Sequence, residues 1–139
     1  MNHILDTNVI SELVAAKPNT KVIDWIQSID SEQVFLSVIT VGELKKGIEK
    51  LPDSKRKERL NRWLQEDLLV RFEGHLLNID TGTMLVCGKL IARLEARGRP
   101  MPAIDALLAA IALEKQYTLV TRNSADFAET GVLLFNPWE

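Results

Sequence analysis

The sequence predicts an α/β fold, a short, mainly parallel five-stranded sheet with helices on both faces. Short apolar, β-branched runs alternate with longer stretches of helical period, the order that builds a parallel sheet. No linker, internal repeat or low-complexity segment breaks that alternation, so residues 1–139 read as one domain. A 46% hydrophobic content is enough for a packed core in a chain of this size.

The first apolar run, His3 to Leu5, predicts a strand, and helices are expected over Val9 to Ala16 and Thr20 to Ser28. Val34 to Ser37 predicts the second strand, followed by a helix from Val41 to Lys50. Pro52-Asp53-Ser54 reads as a helix stop and a new N-cap, opening a helix from Ser54 to Leu69. Leu76 to Ile79 is the third strand, and Asp80 with Thr81 is expected to cap a helix from Gly82 to Ala96. Gly98-Arg99-Pro100 closes that helix before Pro102 opens the next, Ala103 to Lys115. Thr118 to Thr121 and Val132 to Phe135 complete the strands. Trp25 and Trp63 lie on helical apolar stripes and read as core or dimer contacts, and Cys87 as a small buried apolar residue.

Composition excludes several classes. A lone Cys87 with only His3 and His75 beside it supplies neither a disulfide framework nor a soft-ligand zinc site. The opening MNHILDTNVI lacks the basic and long apolar regions of a signal peptide, and no apolar run approaches the ~20 residues of a membrane span. A cytoplasmic protein without a membrane partner is therefore expected. The formal net charge of −2 argues against nucleic-acid binding through overall charge, but the distribution is uneven. Nine Lys and Arg against five acids between Lys45 and Arg71 give that stretch a net +4. Lys89, Arg93 and Arg97 recur at i, i+4 and i+8, one face of a helix, where they can serve as RNA-phosphate contacts or as an ordinary solvated surface.

Ligands of open parallel sheets bind outside the carboxyl ends of the strands, so acids just after strands are the first candidates. Asp6 stands there with Thr7 and Asn8, although the same three residues can simply cap a helix. Glu43 follows the second strand, where Thr40-x-x-Glu43 also fits a capping box; Gly42 before it is of use if a ligand or backbone comes close. Asp105 lies near the first turn of its helix, where the helix dipole alone can account for an acid. Asp126 follows the fourth strand in Thr121-Arg-Asn-Ser-Ala-Asp-Phe, where Asn123 or Ser124 can start a turn. The helical roles leave unexplained why all four acids fall on one edge of one sheet. Carboxylates gathered at ~4 Å repel by about 4 kcal/mol per pair at an effective dielectric near 20. A divalent cation removes that cost, and magnesium, which prefers oxygen ligands and keeps open positions, suits phosphodiester hydrolysis.

These residues match a known pattern. Leu5-Asp6-Thr7-Asn8, Ser37-x-x-Thr40-x-x-Glu43-Leu44 with Gly47, Asp105 with Ala109-Ala110, and Thr121-Arg122-Asn123-x-x-Asp126-Phe127 together resemble the PIN-domain ribonucleases, in particular the VapC toxins of bacterial toxin–antitoxin pairs. The closing Phe135-Asn136-Pro137-Trp138 is similar to the ending of the FitB-like subgroup. The resemblance implies a single PIN-like domain and Asp6, Glu43, Asp105 and Asp126 as catalytic, magnesium-binding acids, manganese being able to substitute. Asp126 binds directly or through water. Thr7, Asn8, Thr121 and Asn123 would be polar supports. It implies further a structured RNA such as transfer RNA as substrate, a homodimer, and a type II antitoxin encoded alongside, held in a hetero-oligomer.

Two rivals remain from the residues. A phosphatase could form an aspartyl phosphate on Asp6, but haloacid-dehalogenase-like enzymes place a second aspartate where this chain has Asn8. A catalytically silent PIN-fold binding module would have no need of four acids.

Overall fold

The apolar runs form five parallel strands in a computed structural model that describes Met1–Glu139. They are β1 (His3–Leu5), β2 (Val34–Ser37), β3 (Leu76–Leu77), β4 (Thr118–Val120) and β5 (Leu134–Phe135), each no longer than four residues. Their order is β3-β2-β1-β4-β5 and every pairing is parallel. The chain thus starts in the middle of the sheet, winds outward through β2 and β3, and returns to add β4 and β5 on the other side. The direction of winding reverses between β1 and β4, which opens a crevice at the carboxyl edge.

Side chains alternate across a strand, and this sheet buries both sides. Leu5, Val34, Leu36 and Val120 pack with Val9, Ile10, Val22, Ile26, Leu44 and Ile48 of α1 (Thr7–Glu12), α2 (Thr20–Ser28) and α3 (Val38–Glu49). Ile4, Leu77 and Leu119 face the other way, against Leu90 and Leu94 of α6 (Thr81–Ala96) and Leu108, Ile111 and Ala112 of α7 (Ala103–Lys115). No helix is long and apolar enough to cross a membrane.

Several boundaries differ from the sequence expectation; α1 stops at Glu12 rather than Ala16, and the others have local reasons. α1 begins at Thr7 rather than Val9 because Asp6, the residue after β1, is itself the N-cap. α3 begins at Val38 rather than Val41 because Ser37, the last residue of β2, caps it, its hydroxyl accepting from the Thr40 N–H at 3.2 Å. The helix expected over Ser54 to Leu69 is split into α4 (Lys55–Arg62), a π-helical turn at Trp63–Leu68, and α5 (Leu69–Arg71). The wide turn keeps Leu64, Leu68 and Phe72 in the core while Trp63 lines a surface groove. Asp80 does cap α6, but its partner is Thr83, whose N–H donates to the carboxylate at 2.8 Å, rather than Thr81. β3, β4 and β5 are shorter than expected, ending or starting where the pairing stops.

Because Leu119 is fully buried in a central strand, Leu119→Ala should cost about 2–5 kcal/mol in urea unfolding. Leu85, 72% exposed on α6, should change stability by no more than about 0.5 kcal/mol on the same truncation. Equal costs at the two positions would contradict this division between core and surface.

Candidate active site at the carboxyl edge of the sheet

The register decides which residues meet. Ile4 pairs with Phe35 and Leu119, and Leu5 pairs with Val120, so the next row outward brings Asp6 beside Thr121 and in line with Ser37. The Asp6 N–H continues the ladder, donating to the Val120 carbonyl at 2.9 Å. Asp6 therefore sits at the reversal point between β1 and β4, and it is only 8% exposed.

Both Asp6 oxygens are engaged. Oδ1 accepts from the Thr7 N–H at 2.7 Å, the cap of α1, and Oδ2 accepts from the Thr121 hydroxyl at 2.8 Å. The Thr121 oxygen in turn accepts from the Asn123 N–H at 3.1 Å and from Asn8 Nδ2 at 3.4 Å, which fills its hydrogen-bonding capacity. Asn8 also accepts the Arg122 N–H at 3.3 Å. Thr121 and Asn8 thus lock the two strand ends together, and Asn123 contributes through its backbone.

Glu43 joins from α3. The Thr7 hydroxyl donates to Glu43 Oε1 at 2.6 Å, and behind it the buried Thr40 hydroxyl lies 3.4 Å from Thr7 and 3.4 Å from Ser37. The capping-box reading of Glu43 is thereby removed, since Ser37 caps α3 and Glu43 stands in its second turn. No backbone of this chain approaches Gly42 closely, for a Cβ there would meet nothing within 4 Å. Sequence reasoning missed Ser37 and used Thr40 differently. The signal was present as Ser37-x-x-Thr40 directly after a strand, an N-cap pattern displaced by the more familiar Thr40-x-x-Glu43.

Asp105 lies in the first turn of α7, and Asp126 is exposed in a 3-10 turn, Ser124–Phe127, after β4. Neither hydrogen-bonds to the Asp6–Glu43 network, and as the side chains stand no three acids converge on one point. They are nonetheless near enough to act on one another. Burial raises the Asp105 carboxyl above the ordinary range, and the charges of Asp6, Glu43 and Asp126 raise it further. Burial also raises Asp6, against the lowering effect of its bonds from Thr121 and Thr7, and the Glu43 charge adds to the rise. A set of hard carboxylate oxygens whose ionised forms oppose one another suits a magnesium-like cation, which neutralises them without displacing the threonines.

The Lys89, Arg93 and Arg97 stripe lies on α6. The start of α6 is tied to the end of α7, the Thr83 hydroxyl donating to Glu114 at 2.7 Å, so the Arg97 end lies beside the first turn of α7 that carries Asp105. Arg93 is partly committed, donating to the Thr130 carbonyl at 2.8 Å. On the opposite side of Glu43 a groove of about 460 Å³ runs between α1, α3 and α4; Thr7 and Glu43 form one end of its lining, with Val14, Leu44, Ile48 and Trp63 among its apolar walls.

A carboxyl raised in the folded state binds its proton more tightly there than in the unfolded chain. Its stabilising contribution is complete below the unfolded carboxylate pKa of about 4 and is lost as pH rises through the raised value. In chelator at neutral pH, Asp105→Asn should therefore melt a few °C above the wild type, and the gap should close on acidification. A variant that melts lower than the wild type at neutral pH would refute the repulsion assigned to this edge.

The PIN domain family matches residues 3–133. The plasmid stability protein StbB of Pseudomonas syringae is 40% identical over 98% of both chains. The toxin FitB of Neisseria gonorrhoeae is 36% identical over 97% of both. The VapC ribonuclease Y4jK of Sinorhizobium fredii is 34% identical over 98% of this chain and 97% of its own. Among solved structures, FitAcB from Neisseria gonorrhoeae superposes with a TM-score of 0.94 at 35% identity, covering 99% of both chains. With matches of this extent along its whole length, the chain belongs to the PIN-domain family, in the group that includes the FitB and VapC toxins.

Proposed function

We propose that this chain is a magnesium-dependent endoribonuclease, the toxin of a type II toxin–antitoxin pair, acting on folded RNA such as transfer RNA. The observation that carries the reading is the buried Asp6 carboxylate, fixed by Thr121 at the reversal point of the sheet with Glu43 fixed beside it by Thr7. The name of the relative Y4jK supports ribonuclease chemistry, and that of FitB supports a toxin.

Asp6, Glu43 and Asp105 would hold the cation, with Asp126 reaching in from its exposed turn directly or through water. Magnesium, or manganese in its place, would supply Lewis-acid stabilisation of the phosphoryl oxygens and acidify the attacking water. The threonines fix two carboxylates before substrate arrives, so little ordering remains to be done on binding. Water exclusion around Asp6 strengthens the action of its charge. The phosphatase alternative is disfavoured because Asn8 stands where such an enzyme has its second aspartate, and it is occupied by Thr121 and Arg122.

The groove beside Glu43 suits a segment of the antitoxin: apolar side chains along its walls and a cation, best an arginine with its planar fork, at the carboxylate end. Exposed Met84 and Leu85 on α6 offer an apolar surface for pairing two copies.

The test is to express the chain alone and with the product of its neighbouring gene, and to sequence the cut RNA ends. Asp6→Asn, Glu43→Gln and Asp105→Asn should each lower magnesium-dependent cleavage by about 100-fold or more while the fold persists. Asp126→Asn should be milder. Full cleavage by folded Asp105→Asn would refute the assignment.

A further inference from the structure

One cation at this edge is held by a device that the carboxylates do not explain. Arg122 follows Thr121 directly, and its backbone is fixed on both sides: its N–H donates to Asn8 Oδ1 at 3.3 Å and its carbonyl accepts from Asn136 Nδ2 at 3.3 Å. Its guanidinium carbon lies 5.3 Å from the centre of the Trp138 ring. Trp138 is itself anchored, packing against the core under α1 and α2 and donating its N–H to Asn136 Oδ1 at 2.9 Å. The last residues of the chain thus form a hook around the loop that carries Thr121.

The charge makes this arrangement informative. Arg122 is exposed and one residue from the partner of Asp6, yet it pairs with no carboxylate; the ion pairs of the chain involve Lys45, Lys57 and His75 instead. A mobile arginine beside an acidic cluster would be drawn into it. Contact with the Trp138 ring holds the guanidinium next to the loop that carries Thr121, and none of its planar set of N–H donors is taken by a hydrogen bond or ion pair. That geometry fits a phosphate oxygen pair. By contrast, Arg93 of the α6 stripe is already bound to a backbone carbonyl.

From this juxtaposition we propose that Arg122 binds a backbone phosphate of the RNA strand at the rim of the carboxylate site, with Trp138 as the positioning residue that presents it. The proposal rests on the ribonuclease reading.

The experiment measures binding of a single-stranded oligoribonucleotide by fluorescence anisotropy across salt concentrations, using the full chain silenced by Glu43→Gln. Arg122→Ala in that background should weaken binding on the order of ten-fold and make the slope of log affinity against log salt shallower by roughly 0.7. Trp138→Ala should weaken it comparably and add nothing on top of Arg122→Ala, whereas Trp138→Phe should restore most of the loss. Thermal melts identify any variant that fails to fold, and Arg122→Ala with Trp138→Phe carry the test if Trp138→Ala does. In the cleaving chain the Arg122→Ala loss should fall on KM rather than kcat. Unchanged affinity and salt slope in Arg122→Ala, with the wild type still cleaving RNA, would overturn this inference and leave the ribonuclease reading standing. A wild type that neither binds nor cleaves RNA would overturn both.

Discussion

Asp6 and Thr121 are 115 positions apart in the chain, and the parallel register of β1 against β4 brings them into a 2.8 Å hydrogen bond across the crevice where the winding of the sheet reverses. The rest of the site is built outward from that contact. Asn8 and Asn123 complete the hydrogen bonds of the Thr121 hydroxyl, and Thr7, the first residue of α1, carries the network on to Glu43. A one-residue slip of β4 would turn Thr121 to the other face and leave Asp6 without its strongest side-chain partner. The two apolar layers, which fix the register through Leu5 and Val120 on one side and Ile4 and Leu119 on the other, therefore position the candidate site as well as supplying stability.

The same contact explains why the fold tolerates a buried acid. An isolated carboxylate in a nearly dry position is costly unless its oxygens are bonded. Here one oxygen is satisfied by a helix N-terminus and the other by a threonine, so the buried carboxylate caps α1 and is held in one place. What the hydrogen bonds do not relieve is the repulsion from Glu43 felt by Asp6, and from Asp6, Glu43 and Asp126 felt by Asp105. The edge is thus stable enough to be ordered and unfavourable enough to reward a cation, the usual compromise between a functional site and its scaffold.

The strand cores and the identity of the helices were legible in the sequence because β-branched runs and helical spacing are local signals. The starts of α1 and α3 were misplaced because their caps directly follow or end a strand, Asp6 after β1 and Ser37 as the last residue of β2; a strand that turns into a helix without a loop leaves no polar spacer to mark the boundary. The candidate acids could be named from their positions after strands and the resemblance implied Thr7 and Thr121 as supports, but which threonine bonds which carboxylate depends on register and could not be read. Trp63 read as apolar filling and does pack against the core, but it also lines the groove, which the sequence did not show. Arg122 and Trp138 stood in the sequence only as members of two separate motifs; their contact with each other is made by tertiary folding of the final residues.

The account stands most directly on the claim that the carboxyl edge takes up a divalent cation, with the Asp6–Thr121 contact fixing the carboxylate at its centre. Calorimetric titration of magnesium into the wild type, Asp6→Asn and Thr121→Val measures it. The account predicts saturable binding to the wild type with release of protons at mildly acidic pH. It predicts affinity lower by roughly ten-fold or more in Thr121→Val and binding nearly lost in Asp6→Asn. A wild type that takes up no magnesium, or two variants that bind it as tightly as the wild type does, would contradict it.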